Sequence, residues 1–264
     1  MKTTIVSILS ACLAFASFSS PAEESGRQLL DQARDFAVSA PGLRRTDTTV
    51  QTTTARVGTN RIPQPSQTNA VTIALDATKR LARQSATIQG KELIMIKEGD
   101  HAAMKLGDGK WEIPSGAYAS IARDMGNLFA CEIETPETPA LAPVWRVTNT
   151  ETLRGCEALV IQTDGESAVP LAQERMSKGL AKAYFGTPDQ RPTVKVLSYT
   201  SKHWITKSDH RHLQAVQESK TQMTMPLPNG QTALVEQSSQ VTSVYSYGKV
   251  TIEIPEEARA ILHP

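Results

Sequence analysis

From Thr193 to Ile254 the chain is an almost unbroken β pattern, and this most limits what it can fold into. Four segments, Thr193–Thr206, Leu213–Thr224, Thr232–Tyr245 and Val250–Ile254, are rich in β-branched and aromatic residues that suit a pleated surface. Turns as short as Pro228-Asn229-Gly230 join them, so successive strands must run antiparallel, because a parallel pair needs a long crossover. The last segment alternates most cleanly, with Val250, Ile252 and Ile254 against Thr251 and Glu253. Charged positions within these strands leave one sheet face wet, and the other face is the place for helices or a ligand.

Upstream, the periodicity changes several times. Ser25 and Gln28 have capping-box spacing, and Leu29, Leu30, Ala33, Phe36 and Ala37 then recur at helical intervals up to Pro41-Gly42. Asp47–Val57 predicts a strand, and Gly58–Asn69, with Pro63 and Pro65, predicts a long exposed loop. Alternation returns at Val71–Leu75 and again at Leu93–Ile96. Gly107-Asp108-Gly109 predicts a hairpin turn between Ala103–Leu106 and Lys110–Ile113. Tyr118, Ile121, Ala122, Met125 and Phe129 share one helical face. Pro136, Pro139 and Pro143 then mark a linker before short strands at Trp145–Val147 and Ala158–Ile161. A further helix is predicted from Ser167 to Gly186, with Val169, Ala172, Met176, Leu180 and Ala183 on one side. No internal repeat and no interdomain linker divides the chain. The expected architecture is α+β, with residues 23–264 forming one domain.

The first 22 residues look like an address. Lys2 precedes an apolar run from Ile5 to Phe18, and Ser20-Pro21-Ala22 offers small side chains at a cleavage site, which predicts a removed signal peptide and a periplasmic protein. The run is shorter than the roughly 20 residues a membrane-spanning helix needs. Leu9-Ser10-Ala11-Cys12 also matches a lipobox, in which Cys12 would carry the lipid of a lipoprotein, but the apolar stretch continues past it. Two cysteines then remain, Cys131 and Cys156, which in an oxidising compartment pair as one disulfide or stand as two buried thiols. Loss of Lys2 with the leader leaves cations and carboxylates equal in number. A neutral chain without a dense Lys/Arg run argues against nucleic-acid binding.

Catalytic motifs are absent: there is no GxSxG elbow, Walker loop, HExxH helix or dinucleotide fingerprint. Ser246 and Lys249 have SxxK spacing, but at a strand-to-strand turn and not at a helix start. His203, His210 and His212 could gather around zinc, yet the polar run Lys207–Arg211 predicts solvated imidazoles at a hairpin, so neither metal nor cofactor is expected. Met95, Met104, Trp111, Trp145, Trp204, Met223 and Met225 lie on or beside predicted strands, and they are the candidate ligand contacts. Thioethers and broad rings suit a cavity that adapts to acyl chains, although the same residues could simply fill a core.

The order of elements resembles the LolA/LolB/LppX superfamily of bacterial envelope proteins. The resemblance rests on the hairpin Gly107-Asp108-Gly109-Lys110-Trp111, Leu153-Arg154-Gly155-Cys156 leading into a strand, Trp204-Ile205-Thr206-Lys207, and the ending from Tyr245 to Ala258. It implies an open, curved antiparallel sheet, a half barrel, with helices over its concave face and a hydrophobic cavity between. It also implies a non-enzymatic carrier of a lipid or lipoprotein acyl chain, in peripheral contact with the membrane. The alternative it allows is an envelope module that binds a partner protein or senses stress, its core filled by its own side chains. The Thr-rich residues 46–54 and the helix at 168–184 depart from that pattern.

Overall fold

The computed structural model describes residues 25–88, 90–125, 142–183, 191–227 and 230–263. The predicted leader with Cys12, together with Cys131, Phe129, Pro136, Pro139 and Gly186, lies outside the described residues.

Helix α1 (Gly26–Ser39) begins as its capping residues require, with the Ser25 hydroxyl accepting from the Gln28 backbone N–H at 3.2 Å. Its apolar stripe of Leu29, Leu30, Ala33 and Ala37 is buried. After it come β1 (Gly42–Val57), β2 (Asn60–Pro63), β3 (Gln67–Asp76), β4 (Leu81–Ile88), β5 (Lys91–Glu98) and β6 (His101–Leu106). A short helix α2 (Ala117–Asp124) precedes β7 (Trp145–Leu153) and β8 (Cys156–Thr163). Helix α3 (Gly165–Ala183) leads to the long strands β9 (Thr193–Thr206), β10 (His212–Pro226) and β11 (Thr232–Tyr247), and α4 (Glu256–Leu262) closes the described chain.

All eleven strands belong to one open, curved antiparallel sheet. Its order, β6-β5-β4-β3-β1-β11-β10-β9-β8-β7, is two meanders of consecutive strands joined through β1. That strand pairs with β11 without a break from Leu43↔Tyr247 to Val57↔Ala233 and with β3 from Gly42↔Asp76 to Gln51↔Gln67. Beyond the end of β3, the tip of β1 takes β2 as its neighbour.

Side chains alternate between two differently covered faces. On the concave face Leu29, Leu30 and Ala33 of α1 pack on Ile161 and Ile205, while Ala122 and Met125 at α2 pack on Ala82, Leu93, Met95 and Met104. Across the sheet from α2, Ala258 and Leu262 of α4 cover Ile96 and Ala103, and Ile252 covers Ala74 and Leu81. Three helices thus lie on the concave face and a fourth on the outer one.

Several expectations change. Val250–Ile254, despite its clean alternation, is not a strand. The flanks of β11 are already taken by β1 and β10, so this segment crosses the outer face and buries Ile252 in side-chain contacts without a ladder. The loop predicted over Gly58–Asn69 is mostly strand, because Gly58 at φ 59° permits a tight turn and β2 folds back on β1. Pro63 falls at the last pair of that short ladder, where a missing donor is tolerated. Of Lys110–Ile113 only Glu112 pairs, through two hydrogen bonds with Met104. Strand β4 has no legible apolar alternation, because Gln84, Ser85 and Thr87 dilute it.

Gly42 marks where the outer crossing presses on β1: a Cβ there would stand 2.5 Å from the Gly248 carbonyl oxygen and 3.0 Å from the Val250 nitrogen. Gly42→Ala is expected to destabilise the protein by about 1–3 kcal/mol, the usual range for overpacking. Urea unfolding would measure it, and an unchanged midpoint would mean that the crossing segment yields freely.

Candidate functional site

Helix α3 is fixed to the sheet by polar contacts at its start and its middle. Asp164 accepts from the Glu166 backbone N–H through its carboxylate, at 3.1 Å, and from the Ala168 N–H through its carbonyl, while the Ser167 hydroxyl accepts from the Val144 N–H at 2.9 Å. Further along, the Gln173 amide donates to the Val194 carbonyl and accepts from the Val196 N–H, each at 2.7 Å. Those backbone groups lie beside the register shift at Lys220/Thr221, where β9 carries the extra residue Leu197.

Held in this way, α3 encloses a cleft of about 180 Å³ against the sheet. Ala168, Leu171, Ala172 and Met176 of α3 form one wall, with Trp145 of β7 and Tyr199 of β9 opposite. Thr163, Ser201 and Gln217 contribute polar atoms, and Arg27 of α1 and Arg175 of α3 add two guanidinium groups. A second, more open hollow of about 410 Å³ lies between the C-terminal end of α1 and β3–β5, with Asp76, Arg80, Lys97 and Asp100 among its lining.

Below the cleft a polar relay runs into the core. The Thr163 hydroxyl accepts from the Ser201 backbone N–H at 2.9 Å, the Ser201 hydroxyl pairs with His203 Nε2 at 2.8 Å, and His203 Nδ1 pairs with His212 Nε2 at 3.0 Å. Four rings continue the line: Trp145 meets His203 edge-on, His203 stacks on His212 and His212 stacks on Tyr245, with centroids 5.1, 5.0 and 4.2 Å apart. A β-bulge between His212 and Gln214 turns His212 to the same face as His203. Burial pushes both imidazoles down, His203 to about 3 and His212 well below its ordinary value, where the neighbouring His203 and Arg45 add to the effect. The expectation of solvated imidazoles is corrected here: His203 and His212 are buried, and only His210, at φ 57°, sits in the turn. Two histidines without a third ligand are not a metal centre, and no group of three or more His, Cys, Asp or Glu with metal-binding geometry occurs among the described residues.

The candidate ligand contacts are not gathered in one place. Trp145 lines the cleft. Met95 and Met104 meet each other across β5 and β6 and are packed under α2. Trp111 lies on the outer face against α4. Trp204 is also on the outer face, with Lys202 4.4 Å over its ring and its indole N–H donating to Glu151 at 2.7 Å. That bond, with others from Asn149 and Lys202, holds the Glu151 carboxyl down at about 2. Met223 and Met225 project from the far end of β10, Met225 exposed. Cys156 is a half-buried free thiol beside Leu153 and Trp204. Its expected partner Cys131 lies outside the described residues, and no disulfide is present among the described ones. Ser246 and Lys249 lie at the end of β11 and just past it, away from any helix start.

No family model matches the chain, and no curated protein matches it. Among solved structures it is similar to a DUF1329 family protein from Desulfovibrio piger, at 10% identity and TM-score 0.28, over 89% of this chain and 97% of that one. A domain named for outer membrane lipoprotein sorting, from Vibrio parahaemolyticus, matches at 10% identity and TM-score 0.28 over 90% and 99% of the two chains. Lipovitellin, described for its lipid–protein interactions, matches 82% of this chain and 26% of its own length at 9% identity and TM-score 0.29.

The buried histidines set a pH dependence. Both are neutral in the fold and would take up protons near pH 6.5 once unfolded, so the stability they confer is complete above about pH 6.5 and is lost as the pH falls from there toward 3. Between pH 6.5 and 5, above the range where most carboxylates titrate, the unfolding free energy should fall by up to about 1.4 kcal/mol per pH unit for each histidine. Urea titrations across that window would show it, and His212→Phe should flatten the slope. An unchanged slope in the variant would remove His212 as a cause.

Proposed function

We propose that this is a periplasmic, non-enzymatic binding protein that carries a hydrophobic ligand such as a lipid or an acyl chain, reached through a cleaved leader at residues 1–22. The observation that carries this reading is the cleft under α3, whose walls are the apolar faces of Ala168, Leu171, Ala172, Met176 and Trp145. Apolar surface buried there is worth about 25 cal/mol per Å², enough to take up part of a chain without any bond being made. Its volume, about 180 Å³, is close to a dry cavity of roughly 150 Å³ that admits benzene, so the cleft seats a segment of a chain and leaves the remainder to the open concave face. The surrounding groups support binding over chemistry. The buried imidazoles pair with each other and with Ser201, and among the described residues no acidic side chain lines the cleft.

A second reading is favoured by one feature. Beneath α2, Met95, Met104 and Met125 fill the core themselves. A core closed there suits a module that presents its surface to an envelope protein partner, with the α3 cleft a minor gap.

Ala172→Trp separates the two. An indole in place of this buried methyl fills the cleft from the α3 side. For the carrier, native mass spectrometry of protein from the periplasm shows a bound amphiphile in the parent, and at least a tenfold lower occupancy in the variant. Equal occupancy in both, or a parent that repeatedly emerges ligand-free, would remove the cleft as the site of carriage.

A further inference from the structure

We infer that the hollow between the C-terminal end of α1 and β3–β5 is a second binding site, separate from the α3 cleft, for an amphiphile with a zwitterionic head of the phosphocholine type. Its volume is about 410 Å³, against about 180 Å³ for the cleft. Leu43, Leu75, Leu81 and Ala82 give it an apolar floor, and Val38 in its lining is 68% exposed. Two carboxylates and two cations also line it, and one of each sign is already committed. The Asp76 carboxylate accepts from the Thr78 hydroxyl at 2.6 Å and from the Thr78 and Lys79 backbone N–H groups at 3.1 and 3.2 Å. Lys97 donates to the Arg123 carbonyl at 2.9 Å. Arg80 and Asp100 remain, both exposed, and among the described residues neither side chain has an ion pair or hydrogen bond with the other or with any third group. Their turns are tied together, since the Gly99 backbone N–H donates to the Arg80 carbonyl at 3.3 Å. Two opposite charges thus leave adjoining turns beside one apolar floor without neutralising each other. Arg80 sits at φ 54°, a conformation that suits glycine, so a long cationic side chain is held there at a cost in backbone strain.

The chemistry discriminates between head groups. A guanidinium meets two phosphate oxygens with parallel hydrogen bonds, and a carboxylate attracts an ammonium. A head with both charges satisfies Arg80 and Asp100 at once, whereas a head with one charge is attracted by one and repelled by the other. Helix α1 ends in the wall of the hollow with no basic side chain in its last turn, so the negative end of its dipole adds to the pull on the ammonium. Scaled from the roughly 150 Å³ that admits benzene, about 410 Å³ takes on the order of sixteen heavy atoms, enough for a phosphocholine head and the first carbons of its chain. The rest of the chain has a path: an adjoining groove of about 280 Å³ shares Lys97 and Asp100 and is lined by Ile113, Pro114, Ala119 and Ala122.

The test uses the full mature protein and three probes with the same octyl tail, octylphosphocholine, octyl phosphate and octyltrimethylammonium, titrated by isothermal calorimetry. Each titration is repeated in the Ala172→Trp variant, in which the α3 cleft is filled. Octylphosphocholine should bind about tenfold more tightly than either singly charged probe, equally in both proteins. Added salt should narrow the gap. Arg80→Gln should bring octylphosphocholine down to the level of octyltrimethylammonium without weakening the latter, and Asp100→Asn should bring it down to the level of octyl phosphate. Both side chains are exposed, so urea midpoints should stay unchanged and the retained binding of the singly charged probe certifies the fold. Equal binding of the three probes by the parent, or a preference that survives both substitutions, overturns the zwitterion inference. Loss of octylphosphocholine binding in Ala172→Trp overturns it too, by placing the probe in the α3 cleft, and leaves the carrier reading standing. Failure of all three probes to bind removes the second site alone, because occupancy of the cleft is read separately by native mass spectrometry.

Discussion

The pairing of β1 with β11 is the contact on which the rest depends. These strands lie far apart in sequence, and each is one of the longest in the sheet. Without their ladder, β3–β6 and β7–β11 would be two separate meanders, the first between α2 and α4 and the second beneath α1 and α3. Joined, they form a trough broad enough for α1, α2 and α3 to lie within it, and the α3 cleft is a by-product of that breadth. Such a contact closes a very long loop and forms late in entropic terms, so the sheet gains its central seam only when both halves are ready.

The trough is not uniformly greasy. Its α2 end is closed by methionines and aliphatic side chains, whereas the region near α1 carries Arg45 paired with Asp47 at 2.9 Å, the two imidazoles and Tyr245. The Tyr245 hydroxyl is buried with no partner among the described residues. Buried polar groups of this kind weaken a core relative to aliphatic packing but restrict how its layers can fit together. Here they link β9, β10 and β11 side by side beneath the cleft. The pocket wall and the stacked rings are therefore one mechanical unit, with Trp145 common to both.

Much of this architecture could be read from residue patterns, because the information was local. Ser25 and Gln28 announced α1, Gly107-Asp108-Gly109 announced a turn, and the ranges of β9, β10 and β11 followed from their β-branched content. What stayed hidden was set by neighbours distant in the chain. Val250–Ile254 has the periodicity of a strand, but where such a segment docks depends on which strands still have free flanks. His203 and His212 looked solvated because the polar turn between them is solvated, and nothing local reveals that a bulge points both rings inward. The cleft was the least legible feature. Its members come from two helices and four strands, and of the seven Met and Trp candidates only Trp145 belongs to it.

The central strands reach past the shelter of the helices. In β1 no residue from Arg44 to Val57 is fully buried, and about half of the facing residues of β10 and β11 are Ser, Thr or Gln. That end is held by backbone hydrogen bonds with little apolar weight behind them, so the sheet is stiff at one rim and pliant at the other. A trough of this build can widen or narrow from its loose rim while its seam stays shut, as a spring clip opens at its free ends.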